Sequence, residues 1–336
     1  MSDRSLWVDY SKAIGIVLVV YGHVARGVYN ASIPLNVGVY TLVDSLVYTF
    51  HMPLFFFLSG LFFMNSLGRR GRLKLISSKI DTIVYPYLLW SLIQGGVIVV
   101  LSSFTNNKVE ASTLLTILWQ PQWQFWFLYA LFMIFVLSSI LFNSSENRLI
   151  LLAFAVSILL YIFQKQLPSA YNLGFITNNL VFFIAGILYD RYKKLFPGSG
   201  NLNFTLFAFI IFAVSQYIFH LQLDMNYEDK GVLSLLLAMI SIVFIVLLSQ
   251  SLVRKPIHWF LIVGSASMSI YLLHILAGSG VRIILVNLFY IYDPAIHLVI
   301  GTLAGVIFPV VVFYFAKHYV WLNYLFSAPL SRLIKK

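Results

Sequence analysis

Long apolar runs dominate the chain, broken by short polar punctuation, and their lengths predict helices that cross a bilayer. Ten such runs stand out, at about 7–26, 40–64, 80–101, 123–142, 147–163, 174–189, 203–222, 231–252, 259–279 and 295–319. Each is long enough, or nearly so, for a hydrocarbon core of about 30 Å. The runs lack the strict alternation of barrel strands. The pattern predicts an all-α integral membrane protein, a bundle of about ten transmembrane helices. No linker or internal repeat divides residues 1–336, so one transmembrane domain is expected. Two pieces, Ser112–Gln122 and Arg282–Tyr292, fall between spans and are expected as short interfacial or re-entrant segments.

Composition agrees with this reading: 60% of residues are hydrophobic and 10% charged, against about 25% charged in soluble domains. The chain has no cysteine, which excludes disulfides, thiolate nucleophiles and thiolate metal sites. No metal site is expected. The net charge of +11 is spread over short loops and reads as topology rather than nucleic-acid binding. One set of loops carries Arg4, Arg69, Arg70, Arg72, Lys74, Lys79, Arg148, Arg191, Lys193, Lys194, Arg254, Lys255, Arg332, Lys335 and Lys336; the other carries Arg26, Lys108, Lys165, Lys230 and Arg282. The positive-inside rule then puts both termini in the cytoplasm.

The polar exceptions inside the apolar runs carry the candidate chemistry, because ionisable groups within a membrane face a bundle interior or wet cavity. In the first run, Lys12 and His23 are eleven residues apart. At 3.6 residues per turn they share one face, about 16 Å apart along the axis, with Asp9 roughly 60° behind Lys12. The stripe reads as a polar path with a cation at one end and a proton acceptor at the other; a snorkelling lysine and an interfacial histidine are the alternative. In the second run, His51 and Pro53 open or kink a helix, and Asp44 lies seven residues earlier, placed to hold an imidazole tautomer; a Pro-bent helix with an interfacial histidine is the alternative. In the ninth run, Ser267, Tyr271 and His274 share a face, with Arg282 eight residues beyond His274. The small residues there also suit close helix packing. The basic run 69–79 reads as topology or as a contact to a phosphate-bearing ligand, and Trp123–Leu128 reads as an aromatic belt.

The chain resembles the membrane-bound acyltransferase-3 family, with its nearest likeness in the fucose 4-O-acetylase-like branch. The resemblance rests on several stretches. They are the basic residue and histidine at Lys12 and His23, Phe50-His51-Met52-Pro53-Leu54-Phe55-Phe56-Phe57-Leu58-Ser59-Gly60, and Lys79 ahead of Pro86. Trp126-Phe127-Leu128, Ser269–His274 and Gly280–Leu285 also match. Asp81 departs from the usual basic form. The likeness covers residue 6 to about 320. It implies a ten-helix bacterial inner-membrane enzyme that moves an acetyl group from cytosolic acetyl-CoA to a sugar hydroxyl. The acceptor would be a surface polysaccharide or lipid-linked glycan, with membrane lipids and a polysaccharide-synthesis machinery as surroundings. Implied catalytic residues are His23, as base or acyl relay, with Lys12, Asp9, His51, Tyr271 and His274. Lys12, Arg69, Arg70, Lys79 and Trp126 are the implied acyl-CoA contacts; Asp44, His51, Ser267, His274 and Arg282 are the implied acceptor contacts. A thioester carbonyl also needs a donor for its developing oxyanion, for which Tyr271, Ser267 and Trp126 are the candidates. A transporter or flippase for a lipid-linked sugar or small anion is the competing reading, and a non-catalytic partner of a polysaccharide machine is a third.

Overall fold

The computed structural model describes residues 6–100, 112–142, 147–167, 173–193 and 200–329. All regular structure among them is helical. Among the described residues, nine helical segments are long and apolar enough to cross a membrane, at 6–30, 37–70, 72–100, 123–141, 173–192, 202–222, 232–252, 267–287 and 294–318. The expected span at 147–163 is a shorter apolar helix of 16 residues, Asn147–Ile162. The protein is a multi-pass membrane protein. Its outward faces carry rows of large apolar side chains, such as Leu206, Phe207 and Ile210 or Val299, Leu303 and Ile307. Lipid tails satisfy such faces as well as a protein core would.

The chain divides into two compact units: residues 1–58 with 192–313, and residues 59–191 with 314–336. The first unit holds α1 (Leu6–Asn30), α2 (Val37–Tyr48) and most of α3 (His51–Gly60). The second holds α4 (Phe63–Arg70), α5 (Arg72–Lys79), α6 (Tyr85–Val100), α7 (Thr113–Thr116), α8 (Trp126–Leu141), α9 (Asn147–Ile162), α10 (Leu173–Thr177) and α11 (Leu180–Tyr192). The chain then returns to the first unit through α12 (Leu202–Tyr217), α13 (Val232–Leu252), α14 (His258–Ser265), α15 (Ser267–Asn287) and most of α16 (Pro294–His318), and ends in the second with α17 (Val320–Asn323).

In the first unit, α1 is the central element, packed by α13, α14 and α15. Small residues allow the approach. A Cβ on Gly264 of α14 would overlap the backbone carbonyl of Asp9, and Val24 sits against Gly278 of α15 and Gly301 of α16. Val20 fills the space above Gly305, so α16 presents a G-x-x-x-G groove to the valines of α1. In the second unit, Gly60 faces the Phe183 carbonyl and Gly186 of α11. The rings of Phe63, Phe135 and Phe183 close that core at 5.2–5.8 Å between centroids.

Two boundaries differ from the pattern-based expectation. α1 continues to Asn30, which takes Arg26 into the helix. The expected span 259–279 is two helices, interrupted at Ala266 (φ −88°, ψ 3°). Hydrophobic periodicity sees no difference between a continuous helix and one broken by a single residue of the bridge region. The restart shifts α15 to 267–287, so Arg282 lies inside a helix rather than in the non-spanning piece expected at 282–292. Of the other expected piece, Thr113–Thr116 is a single helical turn.

Candidate functional site

α1 brings His23 against α15, where the imidazole of His274 lies 5.1 Å away between ring centroids. The valine-to-glycine contacts just described set this approach, because Gly278 is one turn past His274 and Gly305 packs beside its backbone. His23 is half-buried, and neither of its ring nitrogens is hydrogen-bonded among the described residues. His274 is fully buried. Its Nδ1 faces the carbonyls of Ile270 and Tyr271 at 3.0 and 2.8 Å. A carbonyl only accepts, so Nδ1 carries the proton and Nε2 the lone pair. That Nε2 is buried with no partner among the described residues.

A third side closes with α2. Tyr48, its last residue, lies against Gly22, where an added Cβ would come within 2.9 Å of the ring. The tyrosine ring stands edge-on to His23 at 6.4 Å and to His51 at 4.4 Å. The chain turns at Thr49–Phe50, and His51 opens α3. His51 Nδ1 donates to the Val47 carbonyl at 2.8 Å, which leaves the lone pair on its Nε2. Asp44, expected to hold a histidine tautomer, instead takes Arg26 in two bonds of 2.8 Å each. The carbonyl four residues back does the orienting that the carboxylate was expected to do.

The Arg26 guanidinium lies 3.4 Å over the Tyr48 ring and 5.3 Å from that of Tyr227. Tyr227 belongs to the segment between α12 and α13. Its N–H donates to Ser45 Oγ at 2.8 Å, and Ser45 also bonds His220 Nε2 at 2.9 Å. His220 sits in a π-helical turn over Ile218–Gln222 that widens the end of α12. Lys230 donates to the Tyr227 carbonyl at 2.6 Å. Burial pushes the Lys230 ammonium below the ordinary lysine range and the Tyr227 phenol above its usual value.

Of the residues singled out from sequence, His23, His51, Tyr271 and His274 belong to this cluster, with the Tyr271 ring 6.3 Å from that of His274. Ser267 begins α15, about one turn before Tyr271. Arg282 donates to the Gly27 carbonyl and is half-buried. Lys12 and Asp9 lie at the other end of α1, paired at 3.9 Å. Arg69, Arg70, Lys79 and Trp126 belong to the second unit. There Arg70 donates to Ser78 Oγ at 2.8 Å, Lys79 lies 4.2 Å over the Phe135 ring, and Trp126 stacks on Phe175. Among the described residues no group of three or more histidine or acidic side chains is arranged to hold a metal.

Arg26, Tyr48 and Tyr227 were not singled out from sequence. For Arg26 a signal existed: it is three residues after His23, the spacing of neighbours on a helix face, whereas the turn at Thr49–Phe50 separates Tyr48 from His51. Tyr227 reaches the cluster only through the return of the chain after α12, which no local spacing encodes.

A family model described as an acyltransferase domain matches residues 5–314. The nodulation protein NolL of Mesorhizobium japonicum is 26% identical over 210 residues, covering 58% of this chain and 53% of that protein. The chain thus spans about half the length of this curated relative. No solved structure gives a significant match.

Proposed function

Because the chain belongs to the acyltransferase-3 family, we propose that it is an O-acetyltransferase of the bacterial inner membrane. It would take acetyl from cytosolic acetyl-CoA and pass it to a sugar hydroxyl of a surface polysaccharide or lipid-linked glycan precursor. The observation that carries this reading is His23: a half-buried imidazole without a hydrogen-bonded nitrogen, beside the unpartnered Nε2 of His274. A fully buried histidine held only for packing normally has both nitrogens satisfied, and among the described residues His274 does not.

In direct transfer the sugar oxygen attacks the thioester carbonyl carbon while His23 takes the hydroxyl proton. The tetrahedral intermediate collapses as the C–S bond breaks, and the proton passes to the departing CoA thiolate. In a relay, His23 would first carry the acetyl group itself. His51, Tyr271 and His274 shape the site around it. Asp44 acts by holding Arg26, and Arg282 with Ser267 faces the acceptor. Lys12, supported by Asp9, provides positive charge toward CoA; Arg69, Arg70, Lys79 and Trp126 are the acyl-CoA contacts that the family resemblance implies in the second unit. The basic loops argue for a cytoplasmic donor side and cytoplasmic termini. A cysteine at Ser77 should then be shielded from an impermeant thiol reagent in intact cells, and one at Asn226 should react.

The decisive measurement is transfer by the purified protein in lipid nanodiscs, given acetyl-CoA labelled in its acetyl group and host glycan. Label should appear on the glycan, and mass spectrometry should find the same acetyl in wild-type cells and not in a deletion strain. Binding or movement of the glycan without consumption of acetyl-CoA would overturn the proposal in favour of a transporter. With acetyl-CoA alone, label left on His23 would establish the relay, and unlabelled protein the direct route.

A further inference from the structure

Tyr48 is placed with the histidines by contacts that do not involve its hydroxyl. Its ring is held on four sides: Gly22 beneath, His51 at the edge, the Arg26 guanidinium over one face, and Tyr227 tilted at 5.4 Å. Its hydroxyl, by contrast, is buried and has no hydrogen-bond partner among the described residues. A buried phenol almost always finds a partner, and leaving one unpaired costs about 1–3 kcal/mol. Nothing in the packing of the ring needs that oxygen, since phenylalanine would make the same contacts.

The hydroxyl and His274 Nε2 are two buried polar atoms, without a partner among the described residues, that α2 and α15 bring to His23. His23 itself is half-buried and has no hydrogen-bonded nitrogen among the described residues. Their hydrogen-bonding characters differ. His274 Nε2 is an acceptor, because its Nδ1 proton is committed to backbone carbonyls. His23 can accept a proton. Tyr48 is the donor of the set, and the guanidinium over its ring draws electron density from it, which favours donation by the O–H over acceptance. Acyl transfer to an alcohol needs this combination: acceptors for the alcohol proton and a donor for the carbonyl oxygen, which gains charge as the tetrahedral intermediate forms.

We infer that the Tyr48 hydroxyl donates a hydrogen bond to the acyl carbonyl oxygen in the transition state, as a catalytic residue of the acetyl transfer. The inference rests on the acyltransferase reading above. Arg26 is then a positioning residue, which fixes the ring through its bidentate pair with Asp44. This differs from the sequence-based expectation, in which Tyr271, Ser267 and Trp126 were the candidate oxyanion donors.

The test is Tyr48→Phe in nanodiscs, with acetyl-CoA and glycan varied separately. An oxyanion donor acts on the chemical step, so kcat should fall about 10²–10³-fold while KM for both substrates changes little. The unfolding temperature in detergent should stay the same or rise, because an unpaired buried hydroxyl has been removed. A second variant keeps the hydroxyl: 3-fluorotyrosine installed at position 48 should retain turnover. If the wild type transfers acetyl and Tyr48→Phe does so at a comparable rate, the assignment fails and the acyltransferase reading stands. It fails equally if the loss appears only as a raised KM, or if 3-fluorotyrosine loses as much as phenylalanine. If the wild type transfers no acetyl, both readings fall together.

Discussion

The two ends of α1 treat their polar side chains in opposite ways. At the Trp7–Lys12 end, Asp9, Tyr10, Ser11 and Lys12 all have protein partners. The Tyr10 phenol bridges the backbone N–H and carbonyl of Ile257. The Ser11 hydroxyl donates to the Trp7 carbonyl at 3.0 Å and shares a 2.9 Å hydrogen bond with Ser249. Asp9 pairs with Lys12. At the Gly22–Arg26 end, Arg26 is doubly bonded to Asp44, but Tyr48 and His274, the neighbours of His23, leave buried polar atoms without a partner among the described residues. Satisfied polar groups in an apolar bundle join helices. Unsatisfied ones cost stability and persist where another molecule completes them. One helix therefore serves as a structural seam at one end and a candidate reaction site at the other.

The sharpest test of this contrast is His23→Ala. Loss of a general base should lower acetyl transfer by about 10²–10⁴-fold, with an unfolding temperature close to wild type. His23→Gln should fail similarly, since an amide keeps much of the shape but takes up no proton. Near-normal glycan acetylation by either variant would remove the functional half of the comparison.

The next effect belongs to the seam. Gly264→Ala places a methyl group on the Asp9 backbone, and overpacking of that kind should cost about 3 kcal/mol. It would be read as a lower unfolding temperature in detergent or as loss of accumulated protein. Unchanged stability would mean that α1 and α14 are free to separate.

A smaller effect is expected at Ser11 and Ser249. Each alanine variant should lose about 1 kcal/mol, and the double variant less than the sum, because both remove the same bond. Acetyl transfer should be unaffected at saturating substrate. A large fall in kcat without a fall in stability would show that this end, too, takes part in the chemistry.

Lys12 gives the smallest change in stability. Its pair with Asp9 is long, at 3.9 Å, and the side chain is 35% exposed, so Lys12→Ala should shift stability by no more than about 0.5 kcal/mol. Its contribution should appear as a higher KM for acetyl-CoA, and Lys12→Arg should retain most turnover by keeping the charge. Equal loss in both variants, at normal expression, would point to the amine itself.

The apolar runs by themselves determined that the protein is helical and crosses a membrane many times, because the price of an unsatisfied backbone in hydrocarbon leaves few other solutions. Helical spacing also marked the stripe of Asp9, Lys12 and His23, and the face shared by Tyr271 and His274. Which of those residues would meet was a different matter. Lys12 and His23 share a face yet have separate neighbours, and Asp44 turned from His51 to an arginine on another helix. Tyr48 shows why. Its place beside His23 depends on Gly22 offering room, on the turn at Thr49–Phe50, and on Arg26 arriving from α1. Each is a contact between segments, and periodicity along a segment holds no information about its partner. The break at Ala266 and the approach of the Tyr227 segment were likewise decided by tertiary packing, since helix–helix contacts at small residues select among arrangements that the hydrophobic pattern allows equally.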